Sequence, residues 1–423
     1  MTELEYVEIE GFKGLEYVEF EPTDINLITG RNNTGKTSFL EALSLNCSPK
    51  EIERFNTDLS KVVNVHSDES KIRTKKSDLQ IYYPPEQNTA NYLTTALADL
   101  FAHSVHWQHT IYSFENDDTY PEWVEDERIE NVFRDVASRT IRSAPRDLFP
   151  DLKKTCIILE IDGKSYPYVL LGNTKDELLS LAHEEMEQTL NENFEEFTVE
   201  SSPRRLILKK GSRETERLTF DFGTGAISDG RFLTTPPSSE KIQRIDSGID
   251  LVDVHQISKE ENAIKIDDIG DYVKETELVD NLKTFNLDYL VLEEDGEKHN
   301  IPYDFMGDGF KSIVGLLWEL IDDVENEIVL LEEPETHMHP GYVREVVYFL
   351  IDLAREEDVQ LFITTHDSDF INDFFTENLT DEEEAYLEDE FSLLRMEEDG
   401  AVVEDYETAR ENLKDLHLDL RGI

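Results

Sequence analysis

Apolar and polar residues alternate from Leu4 to Glu10, break at Gly11, Phe12, Lys13 and Gly14, and alternate again from Leu15 to Phe20. Side chains two apart share one face of a strand, so this pattern predicts a β-hairpin. Asp24–Thr29 reads as a short apolar strand, Gly30–Thr34 as a polar loop and Gly35–Leu45 as a helix. From Ser48 to about Gly230 helical and polar segments alternate. A hairpin is expected at Cys156–Ile161 and Tyr168–Leu171, around Asp162 and Gly163. A helix is expected over Leu178–Leu190, and further strands at Leu206–Leu208 and Leu218–Phe222. There is neither an internal repeat nor a long heptad array, so no long coiled-coil arm is predicted. Arg231–Pro237 reads as a return to a core strand, with helical stretches following through about Phe285. Leu287–Leu292 is then a strand, Gly309–Ile321 an apolar helix, Glu327–Leu331 a buried strand, Val343–Arg355 a helix and Val359–Thr364 a strand. Strand and helix by turns imply a mainly parallel sheet. The reading divides the chain into residues 1–47, an inserted α+β region at 48–230, and 231–423.

Charge changes this picture more than length does. The 423 residues suffice for two or three lobes. They carry 95 acidic and 40 basic side chains, a formal net charge of −55. With 38% hydrophobic residues the chain still has material for a core. The acid is spread along the sequence, somewhat enriched at Asp381–Glu390, which points to a protein of a high-salt organism in which salt screens the repulsion. Cys47 and Cys156 lack CxxC spacing and suit a reducing interior. No apolar run approaches the roughly 18 residues of a membrane span. The first residues have neither the basic nor the apolar region of a secretory signal. A cytoplasmic protein without a membrane partner is expected.

The candidate chemistry lies at strand ends. Gly30, Arg31, Asn32, Asn33, Thr34, Gly35, Lys36 and Thr37 match GxxxxGK[ST] between a predicted strand and helix, the context this phosphate loop requires. Its glycines let main-chain N–H groups curl around phosphate oxygens, and the helix N-terminus adds partial positive charge. Lys36 reaches the β- and γ-phosphates of ATP, and the Thr37 hydroxyl ligates Mg²⁺. The apolar run Glu327–Leu331 ends in Glu332, Glu333, Pro334 and Glu335. Such a strand aims its terminal acids at the sheet edge where phosphates sit. Glu332 is placed to hold Mg²⁺, and Glu333 to polarise the attacking water. The next strand ends in Thr365, His366 and Asp367, where His366 is placed to bond the γ-phosphate or that water.

These residues, with the opening Ile9–Lys13 and with Ile25–Ser38, resemble the amino-terminal half of SMC, RecF and OLD-type ATPase heads. Leu331–Pro340 resembles their Walker B and D-loop in the form common in OLD-like members, and Thr364–Asp367 resembles their switch histidine. The match covers about 1–46 and 286–375. It implies a P-loop NTPase head of ABC type, an α/β fold with a mainly parallel sheet, an N-terminal antiparallel β subdomain and a mixed α+β insertion. It also implies that Gly30 to Ser38 bind nucleotide, that Lys36, Glu333 and His366 are catalytic, and that His339 belongs to the D-loop. Phe305–Ser312 stands where the family carries the signature that caps ATP of the opposite subunit. Gly307, Asp308, Gly309 and Lys311 then act in trans across an ATP-sandwiched homodimer or higher oligomer. Gly307 replaces the usual serine, Asp308 the usual first glycine and Glu332 the usual aspartate. The Q-loop glutamine is not placed.

His103, His106 and His109 surround Trp107 every third residue, but would fan around a helix without a completing acid or cysteine, so no metal site is expected. Basic clusters at Lys71, Arg73, Lys75 and Lys76, at Arg139, Arg142 and Arg146, and at Arg204, Arg205, Lys209, Lys210 and Arg213 suit either a phosphate backbone or local pairing with carboxylates. No nuclease-type acid constellation follows His366. The expected activity is ATP hydrolysis, with dimerisation around ATP controlling a separate effector or DNA in repair or phage defence. A nucleotide-gated scaffold with negligible hydrolysis is the alternative, and a transporter's ATPase subunit a more distant one.

Overall fold

The computed structural model describes residues 4–55, 58–103, 105–109, 127–144, 154–171, 175–193, 197–202, 205–210, 216–221, 230–237, 242–246, 257–258, 261–294, 296–321, 328–357, 359–397, 400–415 and 419–421. The chain forms two compact units, one of Met1–Pro49, Ser70–Asp78 and Ser238–Ile423, the other of Lys50–Glu69 and Leu79–Pro237.

The first unit is built on a six-stranded sheet. Its strands run in the order Ile242–Ile245, Ile328–Glu332, Gln360–Thr364, Ile25–Gly30, Phe391–Glu397 and Gly400–Asp405. The first five are parallel and the last returns antiparallel. Ile25–Gly30 is buried throughout, as are Ile328–Leu331 and Gln360–Thr364. That explains near-continuous apolar runs in place of alternation, because helices cover both faces of such strands. Registers Leu361↔Ile25 and Ile328↔Gln360 align the strands, so Gly30, Glu332 and Thr364 finish at one edge. The helices Lys36–Cys47, Ala263–Glu275, Asp308–Leu320 and Pro340–Glu357 belong to this unit, each with a buried apolar stripe. Antiparallel strands Val7–Phe12, Leu15–Phe20 and Glu69–Thr74 form the amino-terminal subdomain. This is the expected fold class, an α/β P-loop NTPase head with a mainly parallel sheet and an antiparallel subdomain.

The second unit has antiparallel strands Asp78–Tyr82, Cys156–Ile161, Lys164–Leu170 and Gly230–Phe232, and a four-stranded antiparallel sheet over residues 105–109 and 197–221. Helices Glu86–His103, Glu127–Ser143 and Lys175–Asn193 share one core with the Cys156 and Val169 side chains.

Four local expectations are corrected. Arg231 does not open a core strand: Gly230–Phe232 pairs with Tyr168–Leu170 in the second unit's antiparallel sheet. Leu287–Leu292 is displaced to Tyr289–Glu294, the middle of a three-stranded antiparallel sheet, because Asn286 and Tyr289 close a turn before it. Val105–His109 is a strand paired with Glu216–Phe220, so His106 and His109 do not fan around a helix. The acidic region after Phe375 contributes the strand Phe391–Glu397 to the central sheet, directly beside the phosphate-loop strand.

Candidate active site

The phosphate loop leaves the strand at Gly30, and its helix begins at Lys36. Gly30 has φ 145° and Gly35 φ 101°, conformations that favour glycine. Space demands it too. A Cβ on Gly30 would stand 2.7 Å from the Met396 carbonyl oxygen, and one on Gly35 would overlap the Leu15 side chain. The loop is braced internally by Thr34, whose N–H and hydroxyl both donate to the Arg31 carbonyl, at 3.3 and 2.8 Å. Lys36 is 7% exposed, and its Nζ donates to the carbonyls of Gly30 at 2.9 Å and Arg31 at 3.3 Å. Burial holds its pKa below the usual lysine range, against the opposing pull of Glu333, Glu335 and Glu332.

Glu332 ends its strand one residue past the buried run. The Thr37 hydroxyl donates to its Oε1 at 2.6 Å, and Arg244 Nη2 donates to its Oε2 at 2.9 Å. Glu333 turns the chain with φ 47°, a left-handed conformation that costs a non-glycine residue about 1–3 kcal/mol. Its N–H donates to the Thr364 carbonyl at 3.0 Å, which fixes the turn against the neighbouring strand. Its Oε1 lies 3.0 Å from His366 Nδ1. Glu335 is 6% exposed; the Thr365 hydroxyl donates to its Oε1 at 2.5 Å, while Oε2 has no hydrogen-bond partner among the described residues. Burial pushes the Glu335 carboxyl up to about 7, with Asp367 and Glu333 adding to the rise.

The structure therefore brings Lys36, Thr37, Glu332, Glu333 and His366 to one edge of one sheet. Arg31, Asn32, Asn33 and Thr34 instead line a cleft of about 290 Å³ with Leu15, Tyr17 and Met396. Ser38 is the third residue of the loop helix. The signature-like residues lie at the start of another helix, Asp308–Leu320. Gly307 is the N-cap of Asp308–Leu320, Asp308 lies in its first turn, where the helix dipole favours a carboxylate, and Lys311 Nζ donates to the Asp304 carbonyl at 2.9 Å. Gly309 packs so close to the Walker B turn that a Cβ would stand 2.9 Å from the His337 carbonyl oxygen. The exposed His339 accepts the Gly341 N–H at its Nδ1.

Arg244 and the Glu335–Thr365 bond were not anticipated from the sequence. Ile242–Ile245 is half polar and carries no strand pattern, and a buried glutamate in so acidic a chain gives no compositional signal. The Gln243 amide donates to the Glu319 carboxylate at 3.0 Å. In the basic clusters, Arg73 pairs with Glu8, Arg139 with Asp135 and Lys209 with Glu200. Arg146, Arg204 and Arg213 lie outside the described residues.

Comparison with known proteins adds a family. The Smc head domain of Pyrococcus furiosus, solved with an extended coiled coil and bound to the C-terminal domain of ScpA, covers 98% of this chain and 99% of its own, at 11% identity and a TM-score of 0.41. The SMC head domain of Thermotoga maritima covers 96% and 99%, at 10% identity and a TM-score of 0.38. Scores this low add nothing to what the sheet order already establishes. The uncharacterized protein MJECL11 of Methanocaldococcus jannaschii is 32% identical over 123 residues, 28% of this chain and all of its own length. The family profile described as an AAA ATPase domain matches residues 3–371, and the chain belongs to that family of ATPases.

Proposed function

We propose that this ATPase binds Mg²⁺·ATP at the Gly30–Ser38 loop, hydrolyses it with Glu333 as general base, and dimerises around it to control a partner. The carrying observation is the convergence of Lys36, Thr37, Glu332, Glu333 and His366, drawn from three adjacent parallel strands. The donor set fits the cation. Thr37 Oγ1 and Glu332 Oε1, 2.6 Å apart at a helix N-terminus, are hard oxygen donors and leave further positions to water and phosphate, as Mg²⁺ requires. When bound, Mg²⁺ supplies neutralisation of charge developing on the phosphate oxygens. Lys36 holds the β- and γ-phosphates, exchanging two neutral carbonyl partners for anionic oxygens. His366 Nδ1, 3.0 Å from Glu333 Oε1, restrains the carboxylate that draws a proton from water. The cleft beside the loop takes the base and sugar, with the half-exposed Tyr17 ring on its wall.

The same reading places the chain among OLD-like heads, with 1–47 and 231–423 as the head and 48–230 as its insertion. Gly307, Asp308, Gly309 and Lys311 cap nucleotide held by a second copy, with His339 on the facing D-loop. The 80% exposed Phe305 beside them supports a contact face there. A separately encoded effector or DNA in repair or defence is the partner, and a high-salt cytoplasm the setting. Among the described residues no helix is long and apolar enough to cross a membrane.

Phosphate release in multimolar KCl with Mg²⁺ tests the chemistry. Glu333→Gln is expected to lower the rate by about 10²–10⁴-fold, the span of a general base. The same variant is expected to double in mass by light scattering with saturating ATP. Equal, near-zero rates for wild type and variant would leave the non-hydrolysing scaffold as the better account.

A further inference from the structure

Glu332 is held at both ends. Its Oε1 accepts from Thr37 and its Oε2 from Arg244, a residue of the neighbouring parallel strand Ile242–Ile245. The Arg244 side chain is 7% exposed, and its Nε also lies 2.7 Å from Asp246 Oδ1, a charge contact off the line a hydrogen bond needs. A nearly buried arginine at a strand end is an expensive tie between strands. Desolvating such an ion pair consumes most of its attraction, and an apolar side chain of similar size serves stability as well or better. Two strands already joined by the ladder from Ile242↔Ile328 to Ile245↔Leu331 do not need it.

Its geometry suits a different task. A glutamate has several torsions to restrain, and each costs entropy when fixed. Arg244 occupies the outer oxygen and leaves Oε1 directed at the Thr37 hydroxyl. Groups that hydrogen-bond a ligating carboxylate from behind commonly govern metal affinity by about 10–100-fold. We propose that Arg244 is a positioning residue, orienting Glu332 so that its Oε1, together with Thr37 Oγ1, receives the divalent cation that accompanies the nucleotide. This rests on the nucleotide site described above.

The test is equilibrium binding of a non-hydrolysable ATP analogue to the full chain, in EDTA and across an Mg²⁺ series, for wild type, Arg244→Met and Arg244→Lys. Binding in EDTA is expected to agree within about twofold, since among the described residues the charged partners of Arg244 are Glu332 and Asp246, neither of them in the phosphate loop. The Mg²⁺ concentration for half-maximal enhancement is expected to rise about 10–100-fold in Arg244→Met. Lysine keeps the charge without the planar fork, so Arg244→Lys is expected to fall between the two. A folded Arg244→Met with the wild-type Mg²⁺ requirement overturns the proposal. Should that variant not fold, Arg244→Lys decides alone, and an unchanged requirement in it has the same force. A wild type whose binding gains nothing from Mg²⁺ instead removes the cation site on which both readings stand.

Discussion

Glu335 shows what a single buried carboxyl does to the balance of the site. Its charged form is penalised by burial, and the Thr365 hydroxyl offsets that only in part, so its folded pKa is raised from 4.5 to about 7. A carboxyl with a raised pKa holds more protons folded than unfolded, so stability falls as pH rises across the interval. Its contribution is complete below about 4.5 and lost by the time pH passes about 7. At 1.36 kcal/mol per unit the loss amounts to about 3 kcal/mol. Glu335→Gln keeps an acceptor for Thr365 and removes the charge. Denaturant unfolding at fixed salt is expected to show the variant near wild type at pH 5 and about 2–3 kcal/mol more stable at pH 8. A difference that stays constant with pH would mean that Glu335 is not the group being titrated. Gly30 and Gly35 act on the backbone in a comparable way: each is required by both its φ and its close neighbours, which is why the loop could be recognised from its residue spacing.

Strands divide into those whose role was legible and those whose role was not. Ile25–Gly30, Ile328–Glu332 and Gln360–Thr364 are apolar because both faces are covered, and their chemistry follows immediately at the chain exit. Lys36, Thr37, Glu332, Glu333 and His366 could therefore be assigned to strand ends from local spacing. Ile242–Ile245 and Phe391–Glu397 were hidden because their polar residues find distant partners. Arg244 meets Glu332 across 88 positions, and Thr23 meets Ser392 across 369. No periodicity within a short window reports such pairs. The Phe391–Glu397 strand nevertheless guards the phosphate loop, with Leu393 opposite Leu27 and Met396 opposite Gly30. Leu393 is fully buried, so Leu393→Ala is expected to cost about 2–5 kcal/mol in urea unfolding. A cost below about 1 kcal/mol would place this strand outside the cooperative core.

Across the whole molecule the dominant fact is charge: 95 acidic against 40 basic side chains, a net −55. Particular elements manage it locally. The helix Asp381–Glu390 places four carboxylates in its first turn, where its dipole is favourable, and Thr380 and Glu383 close a capping box over its free N–H groups. Arg410 reaches Glu384, and Arg355 reaches Asp352 and Glu356. Exposed pairs of this kind contribute about 0–1 kcal/mol each, too little to offset repulsion summed over the molecule. Counter-ions must do the rest. The screening length falls from about 10 Å at 0.1 M salt to about 3 Å at 1 M, so most of the relief should arrive within that range. The melting temperature is accordingly expected to climb steeply between 0.1 and 1 M KCl, by about ten degrees or more, since each 1 kcal/mol moves a domain of 150–250 residues by about 2–4 °C. Surface exclusion, the competing cause, also operates with uncharged osmolytes such as sucrose. A rise reproduced by sucrose at low salt would therefore assign the stabilisation to exclusion, and a flat melting curve in KCl would remove the high-salt setting from the proposal. A steep rise in KCl without one in sucrose ties the stability of this ATPase to the screening of its own carboxylates.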